Sequence, residues 1–222
     1  MIDFSNLPAK EKIYYQEDGI VIYCGDCRDI LPLFEDKSFD LVLTDPPYGI
    51  GAHSMPQGHY RDKRVVVSEW DSDRISVDSL KQIINAGVNQ IIWGGNYMAD
   101  ILPRSSKWLV WDKMQVFSGS DVELAWTSYE GALRVFRLSR AGAYCGFDAI
   151  RGHPTQKPVS LMKWCIGQAG DAQTIIDPLM GSGSTLRAAL DLSRKCLGIE
   201  IEERYCKIAK DRLSQSVMRL EL

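Results

Sequence analysis

Two carboxylates in this chain each stand at the end of an apolar run and at the start of a turn that proline or glycine dictates. Asp45 is followed by Pro46, Pro47, Tyr48 and Gly49; Asp177 is followed by Pro178, Leu179, Met180, Gly181, Ser182, Gly183, Ser184 and Thr185. After Asp45, two successive prolines forbid helix and further sheet pairing, so the backbone is fixed in a rigid bend. Such a bend leaves the Asp45 carboxylate and the Pro46 carbonyl as two acceptors aimed into one cleft beside an aromatic ring, a clamp for a planar group that carries an N–H2. Taken alone, the same residues also describe a strand terminator with a packed tyrosine.

The second turn has different chemistry. A buried run at 174–176 ends in an acid and a glycine-rich turn that opens a helix, which places backbone N–H groups and a carboxylate at the carboxyl edge of a parallel sheet, where nucleotide-like ligands bind. A tight strand-to-helix turn with no ligand has the same local signature. The next run, 195–199, ends in Glu200, a carboxylate placed to receive two ribose hydroxyls. A dinucleotide fingerprint needs a third glycine where this chain has Leu186, and no Gly-x-x-x-x-Gly-Lys-Ser/Thr loop occurs. The expected ligand is therefore a nucleoside without phosphates.

The elements that must position these groups are short apolar runs at 19–24, 40–44, 90–93, 108–111, 123–128, 174–176 and 195–199, several continuous enough in Val, Ile and Leu to be buried on both faces. Between them, Leu80, Ile83, Ile84 and Val88 follow helical spacing behind the cap candidates Asp78 and Ser79; Leu161 to Ala169, the stretch after Gly183, and Tyr205 to Val217 give three more helical stripes. Strands alternating with helices predict an α/β sandwich with a largely parallel sheet. No repeat or linker marks a boundary, so residues 1–222 read as one domain. Two long aperiodic stretches, 49–70 and 139–158, are expected to be functional loops.

Bulk properties narrow the class. With 45% hydrophobic and 25% charged residues the chain is globular, and no apolar run approaches the roughly 20 residues that span a bilayer. The start Met1-Ile2-Asp3-Phe4 has neither the basic residues nor the apolar stretch of a secretory signal, which predicts a cytoplasmic protein without membrane association. Six cysteines read as reduced, and Cys24-x-x-Cys27 lacks the second pair that a zinc site requires, so no metal is expected. A net charge of −3 does not advertise a nucleic-acid partner, yet Arg134, Arg137, Arg140, Arg151, Lys157 and Lys163 face a single acid, Asp148, in the stretch 131–163. A basic face and a solvated loop both fit that cluster.

Taken together, Asp45-Pro-Pro-Tyr48, His153-Pro-Thr-Gln-Lys157-Pro158, Asp177-Pro-x-x-Gly-Ser-Gly-Ser-Thr185 and Gly198-Ile-Glu200 resemble the amino-group DNA methyltransferases of bacteria and phages, over nearly the whole chain. The catalytic motif precedes the cofactor motif, which is similar to the circularly permuted beta class. The resemblance implies a Rossmann-like methyltransferase fold with a mostly parallel seven-stranded sheet and helices on both faces. It also implies an S-adenosylmethionine-dependent enzyme that methylates N6 of adenine in a flipped-out base of double-stranded DNA, at a short target. Its catalytic residues are Asp45, Pro46, Pro47 and Tyr48. Cofactor contacts fall on Asp26, which matches the acid that meets the adenine, on Lys157 in the segment that closes over the cofactor, and on Asp177, Gly181, Ser182, Gly183, Ser184 and Glu200. Leu179 and Ser184 stand where the family often has Phe and Thr, changes that keep size or hydroxyl character.

The resemblance leaves the short segment 129–152 for target recognition, with Arg134, Arg137, Arg140 and Arg151 as DNA contacts. No Pro-Cys dipeptide occurs, so the covalent chemistry of C5-cytosine methylation is not expected. N4 of cytosine is the nearest alternative substrate, although enzymes of that kind more often carry Ser at the position of Asp45. RNA or protein-glutamine methylation, where Asn commonly replaces that Asp, and a catalytically idle DNA-binding module are more distant alternatives. A monomer or homodimer is expected, with a cognate restriction enzyme as a partner for a modification enzyme of this kind.

Overall fold

Along the central strands, successive side chains are buried on opposite faces, as a doubly covered sheet requires. Ile20 and Ile22, Leu41 and Leu43, Ile91 and Trp93, and Ile175 belong to one hydrophobic cluster, whereas Val21 and Tyr23, Val42, and Ile176 belong to a second. The computed structural model describes residues 2–50, 73–114, 120–139 and 156–214. In chain order these form β1 (Ile13–Glu17), β2 (Ile20–Cys24), α1 (Cys27–Ile30), β3 (Phe39–Thr44), α2 (Val77–Ala86), β4 (Gly87–Trp93), β5 (Trp108–Asp112), β6 (Val122–Thr127) and β7 (Arg134–Arg137). They continue with α3 (Val159–Gln168), β8 (Thr174–Asp177), α4 (Ser184–Asp191), β9 (Lys195–Glu200) and α5 (Glu203–Leu213).

One sheet runs β1-β2-β9-β8-β3-β4-β6-β5-β7. The pairs β2·β9, β9·β8, β8·β3, β3·β4 and β5·β7 are parallel, and β1·β2, β4·β6 and β6·β5 are antiparallel. The last two strands in sequence are thus inserted between the second and third, in the middle of the sheet. Residues of α3, α4 and α5 cover one face with Leu161, Cys165, Leu186, Ala189, Cys206 and Ala209, and α1, α2 and the N-terminal segment cover the other with Ile30, Ile83, Ala86, Phe4 and Leu7. The architecture is Rossmann-like, with the sandwich and the largely parallel sheet that the sequence predicts.

The sheet has nine strands among the described residues rather than seven. The additions are its two margins. β1 is half-exposed Ile-Tyr-Tyr-Gln-Glu, and β7 is Arg-Val-Phe-Arg, mostly exposed. Margin strands carry no doubly buried run, so the pattern that marks the centre is missing there. Val88 belongs to β4, not to the helix before it, because Gly87 ends α2 and opens β4 with no loop. A Cβ at Gly87 would come within 2.8 Å of Val42, so only glycine lets the chain turn this tightly against β3. The helix cap is Ser76, whose hydroxyl accepts the Ser79 N–H at 3.1 Å, rather than Asp78 or Ser79. Most of the aperiodic stretch 49–70, together with Arg140, Arg151 and His153, lies outside the described residues.

Register between the two halves is fixed at the bottom of β3. The Asp40 carboxylate accepts the N–H groups of Gln173 and Thr174 and the Thr174 hydroxyl, each at 2.9 Å. Burial works against the charge, but those donors hold the Asp40 carboxyl below its ordinary range. A depressed acid contributes stability above its unfolded pKa and loses it as pH falls through the folded value. Asp40→Ala is therefore expected to lower the unfolding free energy by about 1–3 kcal/mol in urea at pH 7. The deficit should shrink as pH is lowered below about 4, and equal midpoints at pH 7 would contradict this role.

Candidate active site at the carboxyl edge of the sheet

Because β2, β9, β8, β3 and β4 run parallel, their carboxyl ends share one edge. In that order the edge carries Asp26 just past β2, Glu200 ending β9, Asp177 ending β8, Asp45 just past β3, and Gly94 just past β4. β6 runs antiparallel to β4, so its first residues, including Glu123, return to the same edge. Side chains far apart in sequence therefore meet here.

At β8 the chain leaves the sheet through the glycine-rich turn. Gly181 and Gly183 both have left-handed backbone, with φ of 52° and 79°. A Cβ at Gly183 would also lie 2.7 Å from that of Ala209 on α5, so close packing and backbone both demand glycine there. Asp177 sits beneath this turn, buried, accepting the Thr44 hydroxyl at 2.8 Å and the Leu179 N–H at 3.2 Å. Burial pushes its carboxyl up to about 6 against the opposing hydrogen bonds of Thr185 and Thr44. Glu200 closes the turn from the side, accepting the Gly181 N–H at 3.1 Å and the Glu202 N–H at 2.8 Å. Its carboxyl is pushed up to about 7 by burial.

The remaining residues expected to meet a cofactor divide. The Ser182 hydroxyl donates to Gln156 at 3.2 Å, tying the Gln-Lys-Pro segment to the turn, whereas the Ser184 hydroxyl accepts from Arg212 of α5 at 2.8 Å. Asp26 caps α1 by accepting the Arg28 N–H at 2.8 Å and pairs with the Arg28 side chain. The adjacent Gly25 N–H donates to the Glu200 carbonyl at 2.9 Å, so Asp26 lies beside Glu200. Asp26, Gly181 and Glu200 thus lie side by side at the carboxyl edge, with buried Asp177 and Ser182 in the same turn.

The Pro-Pro bend lies one strand away. Asp45 is partly exposed, Pro46 is buried, and the Tyr48 hydroxyl donates to Asp45 Oδ1. Tyr48 stacks on Tyr97, with ring centroids 5.0 Å apart and planes 17° apart. Lys157 does not point into solvent. Its buried ammonium lies 2.5 Å from Asp45 Oδ2, 3.0 Å from Glu123 Oε2 and 3.4 Å from the Tyr48 hydroxyl, over the rings of Trp93 and Tyr48. Burial opposes its charge, yet the carboxylates of Asp45 and Glu123 hold its pKa well above the ordinary lysine range. For Asp45, burial pushes the carboxyl up, Lys157 opposes and Glu123 reinforces the rise.

Glu123, Lys113, Trp93, Gly94 and Tyr97 were not singled out from the sequence. A carboxylate inside an apolar strand, at the head of Glu123-Leu-Ala-Trp126, was the available signal. The expected DNA contacts also divide. β7 runs parallel to β5, which puts Arg137 at the Asp45 edge, paired with Asp112 at 3.4 Å, and Arg134 toward the opposite edge. Among the described residues no cluster of His, Cys, Asp and Glu is arranged to hold a metal.

The family model for DNA methylase of the N6/N4 kind matches residues 110–211. The chain is 24% identical to the type II methyltransferase M2.MboI of Moraxella bovis over 250 residues, covering 90% of each protein. The chain is thus similar to amino-group DNA methyltransferases over most of its length. Solved structures share the fold: the M1.HpyAVI–SAM complex at TM-score 0.57 and 24% identity, covering 88% of this chain and all of that one. The cytosine-N4-specific PvuII DNA methyltransferase matches at TM-score 0.65 and 18% identity, covering 96% and 92%. At the proposed clamp, Gly94 leaves no room for a side chain. It has φ of 68°, and a Cβ there would stand 1.9 Å from the Tyr48 ring. Gly94→Ala is expected to cost more than about 1 kcal/mol of unfolding free energy in urea, from strained backbone and a displaced ring. An unchanged midpoint would show that the ring is not held by this approach.

Proposed function

We propose that the protein transfers a methyl group from S-adenosylmethionine to N6 of an adenine flipped out of double-stranded DNA. The observation that carries this reading is the placement of the Asp45-Pro46-Pro47-Tyr48 bend immediately beside the β8–β9 recess, with the Thr44 hydroxyl hydrogen-bonded to Asp177 across the two strands. The recess fits a nucleoside. It offers the Glu200 carboxylate for ribose hydroxyls and Asp26 near a second position, and the glycine turn has already committed the Gly181 N–H to Glu200, as suits a ligand without phosphates. S-adenosylmethionine, when bound, supplies a methyl on a sulfonium that is already activated for transfer.

The chain's own residues do the positioning. Asp45 and the Pro46 carbonyl accept the two N–H bonds of the amino group, which draws its lone pair out of conjugation and aims it at the methyl. The paired rings of Tyr48 and Tyr97 supply the aromatic wall for the base. The nitrogen sheds one proton as it gains the methyl, and the partly exposed Asp45 carboxyl, with its raised pKa, is the acceptor at hand. The Gln156-Lys157 segment, tied to Ser182, closes the recess toward the clamp. Arg137 lies at the edge from which DNA would approach, and Arg134 lies away from it, so Arg137 is the stronger candidate for a DNA contact. Asp45 favours adenine over N4 of cytosine, whose amino group would offer the same two donors. Few side chains remain for base reading, which favours a target of roughly two to four base pairs.

Expression in a methylation-free host, followed by sequencing of its plasmid for modified bases, tests the reading: N6-methyladenine at a short target supports it, and N4-methylcytosine or an unmodified plasmid overturns it. Asp45→Ala should reduce transfer at least about 100-fold while cofactor affinity stays within a few-fold; transfer within tenfold of wild type contradicts the clamp. Glu200 carries its proton in the free protein below about 7, so accepting ribose hydroxyls there requires that proton to leave. Cofactor affinity by calorimetry is therefore expected to fall as pH is lowered below about 7, approaching tenfold per unit. Glu200→Ala should bind weakly and lose this dependence, and a flat wild-type profile would remove Glu200 from the binding step.

A further inference from the structure

The resting clamp is closed on itself. Asp45 Oδ1 accepts the Tyr48 hydroxyl and Oδ2 accepts the Lys157 ammonium, yet the amino group of a target base needs an acceptor on that same carboxylate. Lys157 cannot simply leave, because its side chain is only 5% exposed and a stranded buried cation is costly. A second anion must be able to hold it. Glu123 is that anion, with Oε2 at 3.0 Å from Lys157 and Oε1 at 2.8 Å from Lys113.

We propose that Glu123 is a positioning residue that retains the Lys157 ammonium when a base amino group takes Asp45. This inference rests on the methyl-transfer reading above and assigns its site a further residue. The geometry supports it in three ways. Lys113 anchors one oxygen of Glu123, and the other, buried and without a hydrogen bond, lies 3.0 Å from the Lys157 ammonium. Burial would push the Glu123 carboxyl up, but Lys157 and Lys113 hold it at about 2, so it is an anion throughout the working range. Two carboxylates and two ammonium groups balance, and passing Lys157 from sharing with Asp45 to full pairing with Glu123 changes no net charge in the buried site. Without the Glu123 charge, Asp45 becomes the carboxylate that must keep Lys157, and the clamp stays shut.

Single-turnover methylation of unmethylated DNA by wild type, Glu123→Gln and Glu123→Asp, with saturating DNA and cofactor, tests this alongside calorimetric cofactor affinity and thermal melting. The expected result is a transfer rate lowered roughly 30-fold or more in Glu123→Gln, with cofactor affinity within about twofold. Glu123→Asp, which keeps the charge but withdraws it, should fall between the two. A Gln variant within about threefold of wild type overturns the proposal, as does a rate loss matched by lost cofactor affinity. If the Gln variant does not fold, the Asp variant decides: a rate below wild type at unchanged cofactor affinity supports the proposal, and a rate indistinguishable from wild type overturns it. Wild type that transfers no methyl to DNA sinks the underlying reading and this inference with it, whereas active wild type with an unaffected Glu123→Gln sinks the inference alone.

Discussion

Everything at the working edge depends on the parallel pairing of β3 with β8. Leu41 lies opposite Ile175 and Val42 opposite Ile176, so the two strands end level, and the Thr44 hydroxyl reaches Asp177 at 2.8 Å. Neighbouring strands lie about 4.8 Å apart. The bend that presents Asp45 and the glycine turn bonded to Glu200 are therefore held one strand spacing apart by the sheet itself. A reaction between two bound molecules needs their reacting atoms held close and aligned, and here a hydrogen-bonded ladder sets that separation rather than a loop. It also explains why Asp177 is buried: its carboxylate joins the two halves and shapes the glycine turn, while the more accessible Glu200 faces the recess.

The charge cluster around Lys157 follows a different logic from the sheet. Lys113, Glu123, Lys157 and Asp45 sit in line at the edge, largely removed from water. Replacing such groups with apolar side chains of similar volume is often neutral or stabilising, so a row of four is weak evidence of stability and stronger evidence of function. The low-dielectric setting makes each partner matter more. Trp93 and Tyr48 rings beside the ammonium add attraction without adding charge, so the cation is confined yet not neutralised twice over.

Much of this was legible in the sequence, for a physical reason. Asp45, Asp177 and Glu200 each follow a doubly buried run and precede a proline, a glycine turn or a chain reversal, so the local grammar of strand and breaker marks them. Seven strands could be read because their apolar runs are continuous. β1 and β7 could not, since a margin strand is exposed on part of its surface and looks like polar loop. Glu123 and the pairing of Lys157 with Asp45 were hidden by distance: 112 residues separate Lys157 from Asp45, and no local pattern encodes that meeting. Only the antiparallel return of β6 brings Glu123 back to the edge.

That return also bears on how the recognition side is built. All four strands beyond β3 in the sheet, β4, β6, β5 and β7, come from the middle of the chain, between the Asp45 bend and the Gln156-Lys157 segment. β6 carries Glu123 into the clamp, while β7 carries Arg137 to the same edge roughly 19 Å from β3, four strand spacings of about 4.8 Å. That distance is too great for an arginine at β7 to touch a group held at Asp45, and on the proposed function it would suit contact with duplex flanking the target base, since successive base pairs rise about 3.4 Å. On the proposed function the antiparallel extension would serve two purposes at once: its inner strand brings Glu123 to Lys157, and its outer strand widens the edge to the span of several base pairs. A loop could supply an arginine at that distance, but only a strand joined through β5 and β6 to β4 keeps it in fixed register with the clamp.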